Sequence, residues 1–479
     1  MNQLRPRIVI AALRGGAGKT TLSVALAVAL RHQGIQIAPF KKGPDYIDAA
    51  WLAQAASGPA FNLDTYLMGP ERVVQSFTRH AAKDGVSIIE GNRGLYDGVN
   101  SAGQFSTAEL AKLLAAPVIL VVDCDKVTRT AAAMVLGCQA LDPKVDIQGV
   151  ILSRVNGNRH SSVIRRSIEE STGLPVYGIV PRLPDIPFVQ RHLGLIPPDE
   201  STGVQRALEK AGNMARDYLD VSGLLAVARS APSWKIGAFP KPARIRRGIA
   251  EPTTIGVIRD AAFQFYYQEN IEALTDLGAR VIQISALENK ALPPVDALYI
   301  GGGFPETQAE PLAQNESFRR CVKESAERGL PIYAECGGFI YLGESLTIGH
   351  RCYPMVGALP VAFGMERRPQ GHGYTTLTVD RENPFFPMGT TITGHEFHYC
   401  RILAREDREM HTAFSIRKGT GIDGAREGLC RKNILAGFTH VHALGAPEWA
   451  NALIAKAQEY RRTKQQTSGA LESGIHMGV

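Results

Sequence analysis

Two short stretches of this chain combine residue types that could do chemistry. Residues 14–21 read RGGAGKTT and directly follow an apolar run. Residues 330–342 read LPIYAECGGFIYL and place Cys336 between two apolar segments. Glycine-rich turns of the first kind bind phosphates through backbone N–H groups, and a cysteine held in a tight turn can act as a nucleophile. The chain therefore combines features of nucleoside-triphosphate chemistry with features of thiol chemistry.

The first stretch predicts a site for ATP and Mg²⁺. Lys19 is expected to contact the outer phosphates, and the Thr20 hydroxyl is expected to ligate Mg²⁺. Leu13 replaces the first glycine of the common P-loop pattern. The loop resembles the variant found in ATPases of the MinD and nitrogenase-iron-protein class, with Arg14 in place of their signature lysine. The predicted nucleotide-binding residues are Arg14, Gly15, Gly16, Gly18, Lys19, Thr20, Thr21 and Lys41.

Two polar loops follow the second and third predicted strands, KKGPDYID at 41–48 and EGNRGLYDG at 90–98. Loops beyond the carboxyl ends of parallel strands share one crevice, so both are expected near the phosphate loop. Thr20, Asp45 and Glu90 are the predicted metal ligands, and Lys41 is predicted to neutralise the transferred phosphoryl group. For either carboxylate the alternative is a helix cap or a surface charge.

The second stretch predicts a nucleophile elbow. Gly337 and Gly338 allow a carbonyl group to approach Cys336, and the N-terminus of the following helix is expected to lower the pKa of the thiol. A glycine triplet that follows the strand at 295–300 offers further backbone N–H groups. The predicted oxyanion donors are Gly301, Gly302, Gly303 and Gly337. The other six cysteines lack this context, and we interpret them as inert.

A thiol nucleophile also needs a base. His440 follows a strand-like apolar run and is the predicted base. His442, two residues on, is the competing candidate because both side chains would share one face of a strand. His395 and His398 flank Glu396 with ligand-like spacing, which makes a zinc site conceivable, although a third ligand is missing nearby.

The elements that must position these residues follow an α/β pattern. In the first half, strand-like runs at 7–13, 35–40, 86–90, 117–123, 147–152 and 175–180 alternate with helical stretches at 19–33, 106–115, 129–140 and 160–171. In the second half, strands are predicted at 254–258, 280–284, 295–300 and 331–334, with a helix at 267–278 and a β-rich part from 355 to 440. Such alternation predicts parallel sheets covered by helices. The predicted divisions are a domain at 1–230, a linker at 231–253, a domain at 254–462 and a disordered tail at 463–479.

Composition narrows the class of protein. The seven cysteines include no CxxC pair, which argues against a disulfide framework and predicts a reducing, cytoplasmic location. The sequence contains no run of 18 apolar residues, so we predict no membrane span. The net charge of +7 lacks a basic block typical of nucleic-acid binding and suits polyanionic small substrates. We therefore expect neither nucleic acid nor membrane as a partner, and we leave a homodimer open.

Motifs along residues 7–460 resemble the cobyrinate a,c-diamide synthase family. They are KKGPDYID, EGNRGLYDG, FQFYYQENIEALTDLGA (263–279), LYIGGGFPE (298–306), YAECGGFIYL (333–342) and GHEFHY (394–399). The resemblance implies a P-loop parallel-sheet domain similar to dethiobiotin synthetase, followed by a class I glutamine amidotransferase-like (flavodoxin-like) domain. It implies ATP- and L-glutamine-dependent amidation of tetrapyrrole carboxylates, with Cys336 as nucleophile, His440 as base and Mg²⁺ as cofactor. The substrate contacts expected on this basis are Asp45, Tyr46, Asp48, Tyr96 and Asp97.

Two departures from the family pattern leave alternatives. Class I amidotransferases usually carry a glutamate two residues after the catalytic histidine, and this chain has His442 there, so the residue that orients His440 is undetermined. Differences in the crevice loops leave another tetrapyrrole, such as sirohaem or nickel sirohydrochlorin, as an alternative acceptor. A MinD-like regulatory ATPase with an inactive second domain is a further alternative, opposed by the intact Cys336 elbow.

Overall fold

The computed structural model describes residues 2–183, 188, 190–191, 194–201, 203–235, 252–406 and 409–475. The chain forms two compact units, Met1–Phe239 and Pro240–Val479. The division between them falls inside the predicted linker 231–253, of which residues 236–251 lie outside the described ranges. Trp234, inside that predicted linker, belongs to the first unit and is 8% exposed.

The first unit is built around a parallel sheet. Its strands are β1 (Asn2–Gln3), β2 (Arg7–Ala12), β3 (Ile37–Lys42), β4 (Phe61–Leu63), β5 (Val86–Glu90), β6 (Val118–Asp123), β7 (Ile147–Val155), β8 (Val176–Pro181), β9 (Gln190–Arg191), β10 (Gly194–Leu195) and β11 (Trp234–Lys235). Its α-helices are α1 (Lys19–His32), α2 (Tyr46–Ala56), α3 (Thr65–His80), α4 (Thr107–Leu113), α5 (Thr130–Leu141), α6 (Gly157–Thr172), α7 (Val204–Tyr218) and α8 (Val221–Ser230). Seven strands pair in the order β4-β3-β5-β2-β6-β7-β8, and their partners run parallel.

The central strands of this sheet are fully buried, which explains their unbroken apolar sequences. Every residue of β2, β3, β5 and β6 is buried, since helices cover both faces of a parallel sheet. The six strands expected in this half are confirmed, with ends shifted by up to three residues. The short strand β4 and the helices α2 and α3 were not predicted.

The second unit also begins with parallel strands. Its strands are β12 (Thr254–Ile258), β13 (Arg280–Ile284), β14 (Ala297–Ile300), β15 (Ile332–Glu335), β16 (Ser345–Ile348), β17 (Arg351–Pro354), β18 (Val361–Met365), β19 (Gly371–Val379), β20 (Thr391–His398), β21 (Cys400–Arg405), β22 (His411–Lys418), β23 (Arg426–Arg431), β24 (Ile434–Gly437) and β25 (His440–Val441). Its α-helices are α9 (Gln268–Asp276), α10 (Ala309–Gln314), α11 (Glu316–Glu327), α12 (Gly337–Leu342) and α13 (Glu448–Ile475). The two-domain α/β class predicted from the sequence is thus confirmed.

The main sheet of this unit changes from parallel to antiparallel pairing. Its ten strands are ordered β13-β12-β14-β15-β24-β23-β22-β19-β20-β25. Only two residues separate β24 from β25 along the chain, yet β25 pairs with β20 at the far end of this order. The antiparallel part must therefore curl back, and it brings β20 and β25 to the carboxyl end of β15.

Helix α13 corrects one expectation. The tail from residue 463 was predicted to be disordered, but α13 continues through this segment to Ile475. Residues 476–479 lie outside the described ranges. In the described part of the chain, no helix is both long and apolar enough to cross a membrane.

Candidate active sites

The phosphate loop of the first unit lies between β2 and α1, as predicted. Gly16 and Gly18 have φ angles of 70° and 97°, a left-handed conformation that favours glycine. A Cβ atom added at either position would meet nothing within 4 Å, so the loop borders open space. Lys19 is 7% exposed, and its ammonium donates to the carbonyl oxygens of Arg93 at 2.7 Å and Arg14 at 3.3 Å. These partners are neutral, so the ammonium charge remains available to an anion.

A buried cluster of charges lies beside this loop. The Thr20 hydroxyl donates to Glu90 Oε1 at 2.7 Å, and Lys41 Nζ lies 2.8 Å from the same oxygen. Lys41 Nζ also lies 2.7 Å from Asp48 Oδ2. Burial raises the pKa of Glu90 to about 7, with Lys41 acting in the opposite direction. Burial, followed by repulsion from Lys41, lowers the pKa of Lys19 to about 8. The predicted convergence of the three loops is therefore present.

The cluster fits a divalent cation that also uses phosphate oxygens. Glu90 Oε2 is buried and has no hydrogen-bond partner among the described residues, which suits a metal-facing oxygen. Within the described ranges, no group of three His, Cys, Asp or Glu side chains could hold a metal ion. A cation here would need ligands from a bound triphosphate, as is usual for Mg²⁺. Asp45 Oδ1 caps α2 by accepting the Asp48 N–H at 2.9 Å, which is the alternative weighed for Asp45.

Other predicted residues of this unit brace the loops. The Tyr96 hydroxyl donates to the Cys138 carbonyl at 2.6 Å, and Asp97 Oδ2 accepts from the Gly94 N–H at 2.8 Å. Tyr46 and Thr21 are both partly buried, at the start of α2 and in the first turn of α1. The Tyr96 and Asp97 side chains are therefore hydrogen-bonded to backbone groups of the protein itself, and their predicted contacts with substrate stay predictions.

Sequence reasoning missed Asp123, the last residue of β6. Its carboxylate pairs with the Arg14 guanidinium and lies 3.4 Å from that of Arg154. Arg154 also donates to the Gly16 carbonyl, so both arginines link Asp123 to the phosphate loop. The available signal was a carboxylate at the end of a buried strand, the same signal that identified Glu90.

In the second unit, Cys336 occupies the predicted elbow between β15 and α12. Its φ and ψ angles are 47° and −100°, a conformation that is rare for a residue with a side chain. A Cβ on Gly338 would lie 2.4 Å from the Ile300 carbonyl oxygen, so this turn requires glycine there. The Cys336 thiol faces the Phe397 carbonyl at 3.9 Å. The backbone is therefore strained at Cys336, which is common at functional sites.

The expected lowering of the thiol pKa is wrong. Burial raises the pKa of Cys336 well above its usual value, and the nearby Glu306 adds to this increase. The Gly337 N–H acts in the opposite direction and is outweighed. The resting residue is consequently a neutral thiol, and it needs a base to become a nucleophile.

The predicted oxyanion donors divide into two groups. The Gly301 N–H donates to the Tyr266 hydroxyl at 2.7 Å, so the prediction for Gly301 is wrong in this structure. A Cβ on Gly337 would lie 2.9 Å from the Gly303 nitrogen, which places the glycine triplet directly against the elbow. Gly302, Gly303 and Gly337 remain as predicted donors.

The two candidate bases lie in different surroundings. A Cβ on Gly302 would lie 2.4 Å from His440 Cε1, so His440 packs against the loop that borders the elbow. His442 Nε2 lies 3.6 Å from Glu269 Oε2, and its ring packs on Tyr267 with centroids 4.6 Å apart. The strand β25 ends at Val441, so His442 lies just beyond it, and the choice of His440 over His442 stays a prediction.

The zinc site considered around Glu396 is not formed. His395 stacks on His440 with ring centroids 4.8 Å apart. Glu396 accepts backbone N–H groups of Thr420 and Gly421, and His398 Nδ1 bonds the Cys400 carbonyl. In the ranges that the structure describes, this trio is no metal-binding group.

A nucleotide-binding loop in one unit and a cysteine elbow with an adjacent histidine in the other define a class, the glutamine-dependent ligases. Comparison with known proteins agrees. Residues 8–194 match the CobQ/CobB/MinD/ParA nucleotide binding domain, and residues 254–448 match the CobB/CobQ-like glutamine amidotransferase domain. The chain thus carries a nucleotide-binding domain and an amidotransferase domain.

Relatives align over almost the whole chain. It is 39% identical to the cobyrinate a,c-diamide synthase of Magnetococcus marinus, over 93% of this chain and 96% of the relative. It is 37% identical to that of Archaeoglobus fulgidus and 39% identical to that of Methanothermobacter thermautotrophicus, in each case over 95% of this chain and at least 98% of the relative. The chain belongs to the cobyrinate a,c-diamide synthase family.

Proposed function

We propose that this protein converts the a and c acetate side chains of cobyrinate to amides, using ATP and L-glutamine. The observation that carries the proposal is that one chain with full-length similarity to such synthases holds both reactive centres. One is the Lys19–Thr20–Glu90–Lys41 cluster, and the other is the Cys336 elbow beside His440. An appended domain without activity would have no need for a strained, buried thiol.

The amidotransferase half supplies ammonia. His440 takes the thiol proton as Sγ bonds to the amide carbon of glutamine, and Gly302, Gly303 and Gly337 donate to the developing oxyanion. The C–N bond then breaks, and ammonia leaves with the proton returned by His440. Water hydrolyses the thioester to glutamate and restores the thiol.

The nucleotide half activates the acceptor. A carboxylate oxygen attacks the γ-phosphorus of ATP, ADP leaves, and an acyl phosphate forms. Ammonia attacks the acyl carbon and displaces phosphate, which leaves an amide. Lys19 and Lys41 neutralise charge on the phosphoryl group, and Arg14 with Gly15, Gly16 and Gly18 frames the phosphates. Activation is required because a carboxylate is a poor electrophile until one oxygen becomes a leaving group.

Mg²⁺ is part of this proposal. The Thr20 hydroxyl and Glu90 would hold it, and it would supply positive charge to the triphosphate. Asp48 and Lys41 lie next to these ligands and would face the acceptor carboxylate. The seven cysteines are all free, which fits a reducing cytoplasmic location.

The proposal is tested by mass spectrometry of reactions with Mg-ATP, glutamine and one tetrapyrrole at a time. We expect cobyrinate to lose about one mass unit per carboxylate converted, with two conversions in total. Chelation of Mg²⁺ by EDTA should stop the conversion, and excess Mg²⁺ should restore it. Conversion of sirohaem or nickel sirohydrochlorin in preference to cobyrinate would transfer the proposal to that acceptor. ATP hydrolysis without amidation of any tetrapyrrole would contradict it.

His440, rather than His442, is expected to be the base for Cys336. His440→Ala should lower glutamine hydrolysis by roughly 10²–10⁴-fold, the usual contribution of a positioned general base. His442→Ala is the matched control, because its ring faces Glu269 and Tyr267 instead of the glycine loop. Both variants are assayed for glutamate release and then for ammonium-driven amidation. A larger glutamine-specific loss in His442→Ala would reverse the assignment.

A further inference from the structure

The position where class I amidotransferases usually carry a third catalytic carboxylate holds His442 in this chain. A carboxylate nevertheless faces the base from another element. Glu335, the last residue of β15, directly precedes Cys336, and its Oε2 lies 3.7 Å from His440 Nδ1. The side chains of Glu335 and His440 are 1% and 2% exposed, so little water screens this pair.

Two other contacts hold the Glu335 carboxylate in place. Its Oε1 accepts the Val441 N–H at 3.0 Å, one residue beyond His440. Its Oε2 accepts from the Tyr299 hydroxyl at 3.2 Å. The first contact ties the end of β15 to β25, so the carboxylate and the imidazole are positioned by the same local structure.

The other ionisable groups near His440 are either neutral or have partners other than His440. His395 presents its ring face to His440, and burial together with the neighbouring His440 lowers the pKa of His395 well below its usual value, which leaves it neutral. Glu269 faces His442 instead. Glu427 accepts the Phe438 and Thr439 N–H groups, and burial raises its pKa to about 8.

We infer that Glu335 is the positioning residue of His440 and takes the place of the missing triad carboxylate. The inference deepens the proposed function and rests on it. Glu335 directs Nδ1–H of the ring toward itself and thereby leaves Nε2 to receive the Cys336 proton. It also stabilises the imidazolium that forms during attack. In this structure the distance between Glu335 Oε2 and His440 Nδ1 is longer than a hydrogen bond. Contacts of this kind at catalytic sites commonly shorten when substrate is bound.

The test is Glu335→Gln, which keeps the shape and one acceptor oxygen but removes the charge. We expect kcat for glutamate release to fall by about 10–100-fold, with a much smaller change in KM, because the change affects the base and not substrate binding. The acid limb of the pH profile should move to lower pH, because, besides burial, the Glu335 charge helps to raise the pKa of the Cys336 thiol and the variant lacks that charge. Glu335→Asp, which retains the charge, should recover part of the loss.

Glu269→Gln is the matched control, because it neutralises a comparably buried carboxylate that faces His442. It should leave glutamate release within about threefold of wild type. Equal losses in both variants, or a wild-type kcat and pH profile for Glu335→Gln, would overturn the inference. Ammonium-driven amidation by Glu335→Gln should match wild type and shows that the variant is folded.

Two measurements on the unaltered protein complete the design. The first is a set of ¹⁵N spectra of histidine-labelled wild type, in which the His440 signals are assigned by their loss in His440→Ala. We expect the neutral His440 ring to carry its proton on Nδ1, and a proton on Nε2 would also overturn the inference. Wild-type glutaminase and amidation activities test the proposed function itself. If those were absent, the proposed function would fail, whereas the tautomer would still report on Glu335.

Discussion

Cys336→Ser is expected to abolish glutamine-dependent amidation, by more than about 10³-fold, and to spare amidation driven by high ammonium. In the proposed mechanism the thiol is needed to release ammonia, whereas the acceptor is activated at the phosphate loop of the other unit. A serine hydroxyl is much less acidic than a thiol, and this site already opposes charge on the nucleophile because burial raises the pKa of Cys336. The same base therefore cannot activate serine to a comparable degree.

The measurement compares amide formation with glutamine and with ammonium chloride in one variant. Cys352→Ser is the matched control, because Cys352 is exposed and should tolerate the change with full activity. Loss of ammonium-driven turnover in Cys336→Ser, with circular dichroism showing an intact fold, would mean that Cys336 acts in another step.

Lys19→Ala should remove ATP-dependent amidation with either nitrogen source and leave glutamate release measurable. The Lys19 ammonium donates to the neutral carbonyl oxygens of Arg14 and Arg93 and forms no direct ion pair in the described structure, so it is positioned to meet a phosphate. Losing that contact should cost several kcal/mol of transition-state stabilisation, which corresponds to roughly 10²–10⁴-fold in rate. Thr20→Ala should act in the same direction through the loss of a proposed Mg²⁺ ligand.

Amide formation and glutamate release are followed in parallel. Lys144→Ala provides the control, since Lys144 is exposed and lies far along the chain from the phosphate loop. Near-normal amidation by Lys19→Ala would contradict the assignment of Lys19 to the phosphate site. Glutamate release that fell as steeply as amidation would instead show that the two centres depend on each other.

Local sequence patterns were sufficient for the features that local geometry determines. An unbroken apolar run followed by glycines and Lys19-Thr20 describes a buried strand, a turn and a helix start, and the structure has all three. The same holds for Cys336, whose two following glycines predicted a tight strand-to-helix turn, and the structure has this turn. Glu90 was found because a carboxylate at the end of a buried parallel strand has few structural reasons to be there.

Tertiary structure alone decided which groups meet. Asp45 was the predicted metal ligand, but in the structure it caps α2, and it is Asp48 that contacts Lys41 in the charge cluster. Tyr266 engages the Gly301 N–H, and no local pattern indicates that contact. The pKa of Cys336 depended on burial by segments remote in sequence, which outweighs the effect of the short helix that follows it.

The relation of Glu335 to His440 shows the physical reason most clearly. The two residues are over 100 positions apart, and they meet because the antiparallel half of the sheet curls back and pairs β25 with β20. Sequence periodicity specifies which face of a strand is buried, but it does not specify the partner of that strand or the closure of the sheet. The chain alone therefore indicated the two chemistries and predicted their nucleophile and phosphate ligands, while sheet closure decided which carboxylate faces the base.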